Sequence, residues 1–170
     1  MTSAASTEEI RETRLANGIR LVTERMPEAR SVSLGVWVGV GGRDEPAELA
    51  GASHFLEHLL FKGTSTRSAR QIAEAVDAVG GEMNAFTNRE HTAYYTRLPA
   101  DRADLGLDIL GDVLTDPAFR PHEVDAERHV IPKEIIRNLD LPEDHVHTLL
   151  AEGQYPGHPL GREVLGTKET

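Results

Sequence analysis

The chain has 170 residues, 39% hydrophobic and 27% charged, with a net charge of −10 and no cysteine. That is the composition and size of one globular domain rather than of a disordered segment. The acidic balance argues against nucleic acid as a partner, since binding phosphates needs clustered Lys and Arg. The missing cysteines exclude disulfides, Cys-based zinc sites and a thiol nucleophile.

The start, "MTSAASTEEIRE", has no basic stretch followed by an apolar run and so is not a signal peptide. Residues 1–8 are expected to be a flexible tail. The most apolar run, residues 31–40, is far too short to span a membrane, and the expected location is the cytoplasm.

In chain order, residues 11–25 alternate apolar and polar positions around Asn17-Gly18, a hairpin signal. "SVSLGVWVGVGG" (31–42) is Val-rich and predicts a buried strand, with Trp37 in the core. Residues 47–64 follow a helical pattern that stops at Gly63. A second helix is predicted over 65–81, with Ser and Thr caps at its entry. Ile72, Val76 and Val79 share one of its faces, and Gly80-Gly81 end it. Residues 82–98 read as two strands around Thr87-Asn88-Arg89. An amphipathic helix covers 100–116, stopping before Pro117. Another helical pattern covers 122–141, with Pro132 inside it, where the missing N–H favours a kink. A further helical stretch follows Pro142. The order predicts an α+β domain, mostly antiparallel sheet with helices on one face, spanning 1–170 as one unit.

Residues 53–64 read "SHFLEHLLFKGT". Positions three and four apart share a helix face, so the rings of His54 and His58 can converge on one ion. Neutral imidazoles at this spacing suit zinc. Glu57, on the same side, is poorly placed as a third ligand but can take a proton from water that the ion activates, as a general base. With 8 histidines in the chain, H-x-x-E-H arises by chance roughly 0.04 times in a sequence of this composition. A catalytic zinc also needs a third protein ligand. Glu127 and Glu134 lie two helical turns apart and share a face. Either could ligate, the other steadying a ligand from behind. His91, His122, His129, His145, His147 and His158 read as surface or structural residues.

Six segments, "LANGIRLV", "GVWVGVGGRDEP", "GASHFLEHLLFKGT", "VDAVGGEMNAFTNREHTAYYTRLP", "ERHVIPKEI" and "HPLGREVLGT", are distributed through most of the chain, from Leu15 to Thr167. In kind, order and spacing they resemble the pitrilysin/insulinase family of metallopeptidases, the inverted zincins, and most of all the processing-peptidase β-subunit branch with its bacterial relatives. The resemblance implies a zinc-dependent endopeptidase acting on peptides or presequences, with manganese as the alternative metal. It makes His54 and His58 ligands, Glu57 the catalytic base, and Glu134 the distal ligand 76 positions after His58. It makes Glu127 the acidic residue that supports the site. Asn84 and Ala85 fall in the segment whose edge strand takes up an extended peptide, which any exposed strand edge can do through its backbone.

Family members normally have two homologous halves or two such subunits. The chain therefore reads as a truncated N-terminal piece that needs a second half to close around substrate, with exposed sheet edges favouring homo-oligomers. The alternative function is a non-catalytic assembly subunit, or an inactive fragment. A small-molecule lyase with the same motif, of the S-ribosylhomocysteine type, would need a cysteine that this chain lacks.

Overall fold

A computed structural model describes residues 9–170, in which the chain up to Arg30 and the chain from Ser31 to Thr170 form two compact units. The expectation for residues 1–8 lies outside the described residues.

In the first unit, β1 (Glu9–Arg14) and β2 (Arg20–Arg25) pair antiparallel, closing at Arg14 opposite Arg20. The loop between them contains Asn17-Gly18, as predicted, and is tied by the Leu15 N–H donating to the Ile19 carbonyl at 2.8 Å.

The second unit is built on three antiparallel strands. β3 (Ser31–Val38), β4 (Glu82–Thr87) and β5 (Thr92–Pro99) lie in the order β3-β5-β4, so the last strand in sequence is central. The 82–98 hairpin is present, its turn held by Asn88, whose Oδ1 accepts from the Glu90 and His91 N–H groups at 2.8 Å. Pairing puts Val32 beside Leu98 and Leu34 beside Thr96 on one face. On that face sit α2 (Ala69–Asp77) and α3 (Ala103–Thr115). Their Ile72, Val76, Ile109 and Val113 close a core over Leu98, flanked by Val32 and Met83. The α2 start is a reciprocal cap: Ser68 Oγ accepts from the Gln71 N–H while the Gln71 side chain accepts from the Ser68 N–H at 2.8 Å. The α+β class with helices on one face of an antiparallel sheet is thus as expected.

Two expectations need correcting. Strand β3 is largely exposed rather than buried, and Trp37 is not a core residue but 63% exposed. The register explains it. Trp37 pairs with Ala93, which pairs with Phe86, so all three side chains lie on the face away from α2 and α3. There the Trp37 ring lies over Gly35, where an added Cβ would come within 2.3 Å of it. The indole shields the backbone of the one β3 residue that has no side chain to do so.

The helix predicted over 47–64 is interrupted. A short 3-10 turn (Ala47–Leu49) precedes α1 (Ala52–Leu60), and Gly51 between them is left-handed, at φ 97°. A left-handed residue cannot continue a right-handed helix, and glycine adopts that conformation without a Cβ penalty. Two further helices follow α3: α4 (Pro121–Asp140) and α5 (Pro142–Gln154). Helix α4 is continuous through Pro132. Among the described residues no helix is long and apolar enough to cross a membrane.

Candidate metal centre

Helix α1 is fastened at both ends before any chemistry is considered. At its start, the Glu45 carboxylate accepts from the Gly51 N–H at 2.8 Å and the Ser53 N–H at 2.6 Å. A carboxylate on first-turn N–H groups satisfies donors that have no partner inside the helix and complements the positive end of its dipole. The Arg162 guanidinium in turn donates to the Glu45 carbonyl at 2.6 Å, and the Leu165-Gly166 backbone packs against Gly51. The "HPLGREVLGT" segment therefore braces the beginning of α1. Past its end, Thr64 is fully buried and donates to Asp112 of α3 at 2.9 Å, while Arg67 reaches the same carboxylate at 2.6 Å. Burial pushes the Asp112 carboxyl up, but the hydrogen bonds from Thr64, Arg67 and Thr66 outweigh it and hold it below its ordinary value.

Between these anchors, His54 and His58 stand one turn apart, ring centroids 4.6 Å from each other. His54 is buried and His58 half-buried. Helix α4 crosses beside them and delivers two of its glutamates, Glu127 and Glu134. Glu134 Oε2 lies 3.7 Å from His54 Nε2 and 3.4 Å from His58 Nε2. Glu127 approaches from the other side of His58, its Oε2 accepting from Nδ1 at 2.9 Å. A carboxylate at that distance fixes the proton on Nδ1 and leaves the Nε2 lone pair facing His54 and Glu134.

Among the described residues, His54, His58 and Glu134 are the one group of three side chains able to hold an ion, their ligand atoms all within 4.8 Å of one another. The spacing can be tested against metal chemistry. Ligand atoms about 2.0–2.1 Å from a tetrahedral zinc are roughly 3.4 Å apart. The 3.4 and 3.7 Å separations are close to that, and both are longer than an ordinary hydrogen bond. The donor set, two imidazoles and one carboxylate, is one that suits zinc. Electrostatics agree: burial first, and then the neighbouring His58, push the His54 pKa below its ordinary value and favour the neutral ring that a metal needs. His54 Nδ1 is buried with no hydrogen-bond partner.

The two glutamates that spacing alone leaves equivalent are thus separated by packing. Glu134, partly exposed, faces the imidazole Nε2 atoms, and Glu127, buried, stands behind His58. Glu57 lies toward the sheet, where Thr87 at the end of β4 donates its hydroxyl to Glu57 Oε2. Asn84 and Ala85 lie on β4, which among the described residues pairs only with β5 and leaves its other edge unpaired. Tyr94 of β5 is buried close by; burial first, and then the Glu57 charge, push its hydroxyl up to about 12.

Three residues that act on this site were not singled out from the sequence: Lys62, Thr87 and Glu45. Lys62, its Nζ 2.5 Å from Glu127 Oε1, carries a readable signal: it stands four residues after His58, just past the end of α1. Thr87 and Glu45 carry none, because their partners are set by how α1 packs on β4 and on the preceding loop.

Comparison with known proteins gives the family. The family model of the insulinase group, peptidase family M16, matches residues 20–168. An uncharacterized zinc protease of Bacillus subtilis, YmxG, is 48% identical over 154 residues, 91% of this chain and 38% of the relative. An uncharacterized zinc protease of Mycobacterium leprae is 48% identical over 167 residues, 98% of this chain and 38% of the relative. One from Streptomyces coelicolor is 49% identical over 161 residues, 95% of this chain and 35% of the relative. The chain spans little more than a third of the length of these relatives. A match over nearly the whole chain, to a family whose relatives are named zinc proteases, places it in the insulinase family of metallopeptidases.

Proposed function

We propose that the protein containing this chain is a zinc-dependent endopeptidase, and that residues 1–170 belong to the half that holds the metal. The observation that carries this is the convergence of His54 Nε2, His58 Nε2 and Glu134 Oε2 at separations suited to one tetrahedral ion. Zinc held there would polarise the scissile carbonyl and make the attacking water acidic enough to lose a proton near neutral pH.

The chain's own residues do the rest. His54, His58 and Glu134 hold the ion, and Glu127 orients His58. Glu57, steadied by Thr87, takes the proton of the attacking water and hands it to the departing amine. The free edge of β4 at Asn84 and Ala85 offers backbone N–H and C=O groups to an extended peptide, which lines substrate up alongside Glu57. Substrate is then a peptide or presequence, and the remaining two thirds of the protein supply the opposite wall of the site. Retention of every ligand position weighs against a purely structural subunit.

The test is peptide hydrolysis by the full-length protein. Glu57→Gln should lower turnover by about 100-fold or more while zinc remains bound. Unchanged turnover would overturn the assignment.

A further inference from the structure

We propose that Lys62 is a positioning residue of the metal site, holding Glu127 so that His58 keeps the tautomer and ring orientation that point Nε2 at the ion. The inference rests on the zinc reading above.

Glu127 is 3% exposed, and its two oxygens have separate tasks. Oε2 takes the His58 Nδ1 proton at 2.9 Å, and Oε1 takes the Lys62 ammonium at 2.5 Å. Lys62 lies just past the end of α1 and Glu127 on α4, so the ion pair joins the two helices that supply the ligands. A buried carboxylate with one oxygen left without a donor is costly, and the side chain would turn to find another. That turn would release His58 Nδ1. A freed imidazole can carry its proton on Nε2 instead, which presents an N–H to Glu134 and to the ion's position. Lys62 is half-buried, with its ammonium held against Glu127. The relay therefore runs from Lys62 through Glu127 to His58, and Lys62 touches neither the ion nor the substrate.

The test is the zinc dissociation constant of the full-length protein, measured by competition with a chromophoric chelator at fixed pH. Lys62→Met, which keeps the stem and removes the charge, is expected to bind zinc roughly tenfold more weakly. Lys62→Arg should recover most of the loss. On a Glu127→Gln background, Lys62→Met should cost nothing further, because its effect passes through that carboxylate. Lys62→Gln, which keeps a donor, should fall between, and provides the reading if the Met variant does not fold when metal-free. Wild-type affinity in Lys62→Met, or the same loss with and without Glu127, overturns the inference while leaving the zinc site standing. A wild-type protein that binds no zinc overturns both.

Discussion

The Thr87 hydroxyl donates to the Glu57 carboxylate, and that single bond joins the edge strand to the helix of the H-x-x-E-H motif. It ties the surface proposed to receive a peptide to the group proposed to activate water. Losing a hydrogen bond to a charged group costs about 1.5–3 kcal/mol. Thr87→Val should therefore lower turnover of the full-length protein by roughly tenfold or more, with zinc affinity unchanged. Thr87→Ser should retain most of the activity. Equal losses in the two variants would show that the hydroxyl is not what matters.

Glu127 and Glu134 should differ in kind. Glu127→Gln removes a support for His58 and is expected to weaken zinc binding roughly 10- to 100-fold. Glu134→Gln removes the proposed third ligand and should reduce binding further. Chelator competition on both variants gives the order, and a stronger effect at Glu127 would reverse the roles.

That pair also shows where sequence reading stops. His54, Glu57 and His58 are legible because one helical turn brings them together, and helical period is a local property. Glu127 and Glu134 lie two turns apart, so period alone makes them equal, and only the crossing of α4 over α1 separates them. The exposure of Trp37 is illegible in the sequence for a related reason. Strand alternation shows that its face differs from that of Val32, but which face the helices cover depends on α2 and α3, far along the chain. The break at Gly51 was hidden because the helical pattern of 47–64 continues across it, while the left-handed turn answers to Glu45 and the Leu165-Gly166 backbone.

Gly51 itself is open to test. A Cβ there would sit 2.8 Å from the Leu165 carbonyl oxygen, on a residue already left-handed. Gly51→Ala should cost roughly 1–3 kcal/mol, the range for a strained backbone position. Because the displaced element is α1, zinc affinity should fall as well. Chemical denaturation and zinc titration of the same variant measure the two effects.

Thr64 should behave as a structural clamp. It is fully buried, donates to Asp112 at 2.9 Å and accepts from the Arg67 N–H at 2.9 Å. Thr64→Val should destabilise the protein by about 1.5–3 kcal/mol, as for a lost hydrogen bond to a charged acceptor. In urea unfolding the midpoint should fall with little change in slope.

Acid should weaken the metal-free protein partly through His54. Its pKa is lowered in the folded state by burial and by His58, so the unfolded chain binds its proton more readily. Stability from this group is complete above the unfolded value of about 6.5 and is lost as pH falls below it. The melting temperature of chelator-treated protein should drop between neutral pH and about pH 5.5. His54→Gln should flatten that slope, and an equally steep slope in the variant would count against it.

The ligands proposed for the ion come from α1 and α4, 76 positions apart in the chain. Coordination at both would therefore act as a reversible staple across a long loop, made without a cysteine. The entropy removed from the unfolded chain by closing such a loop grows only slowly with its length, yet is already large at this size. Metal loading would then add to the stability of the whole fold between the two helices, so that chelation should lower the unfolding midpoint as well as empty the centre.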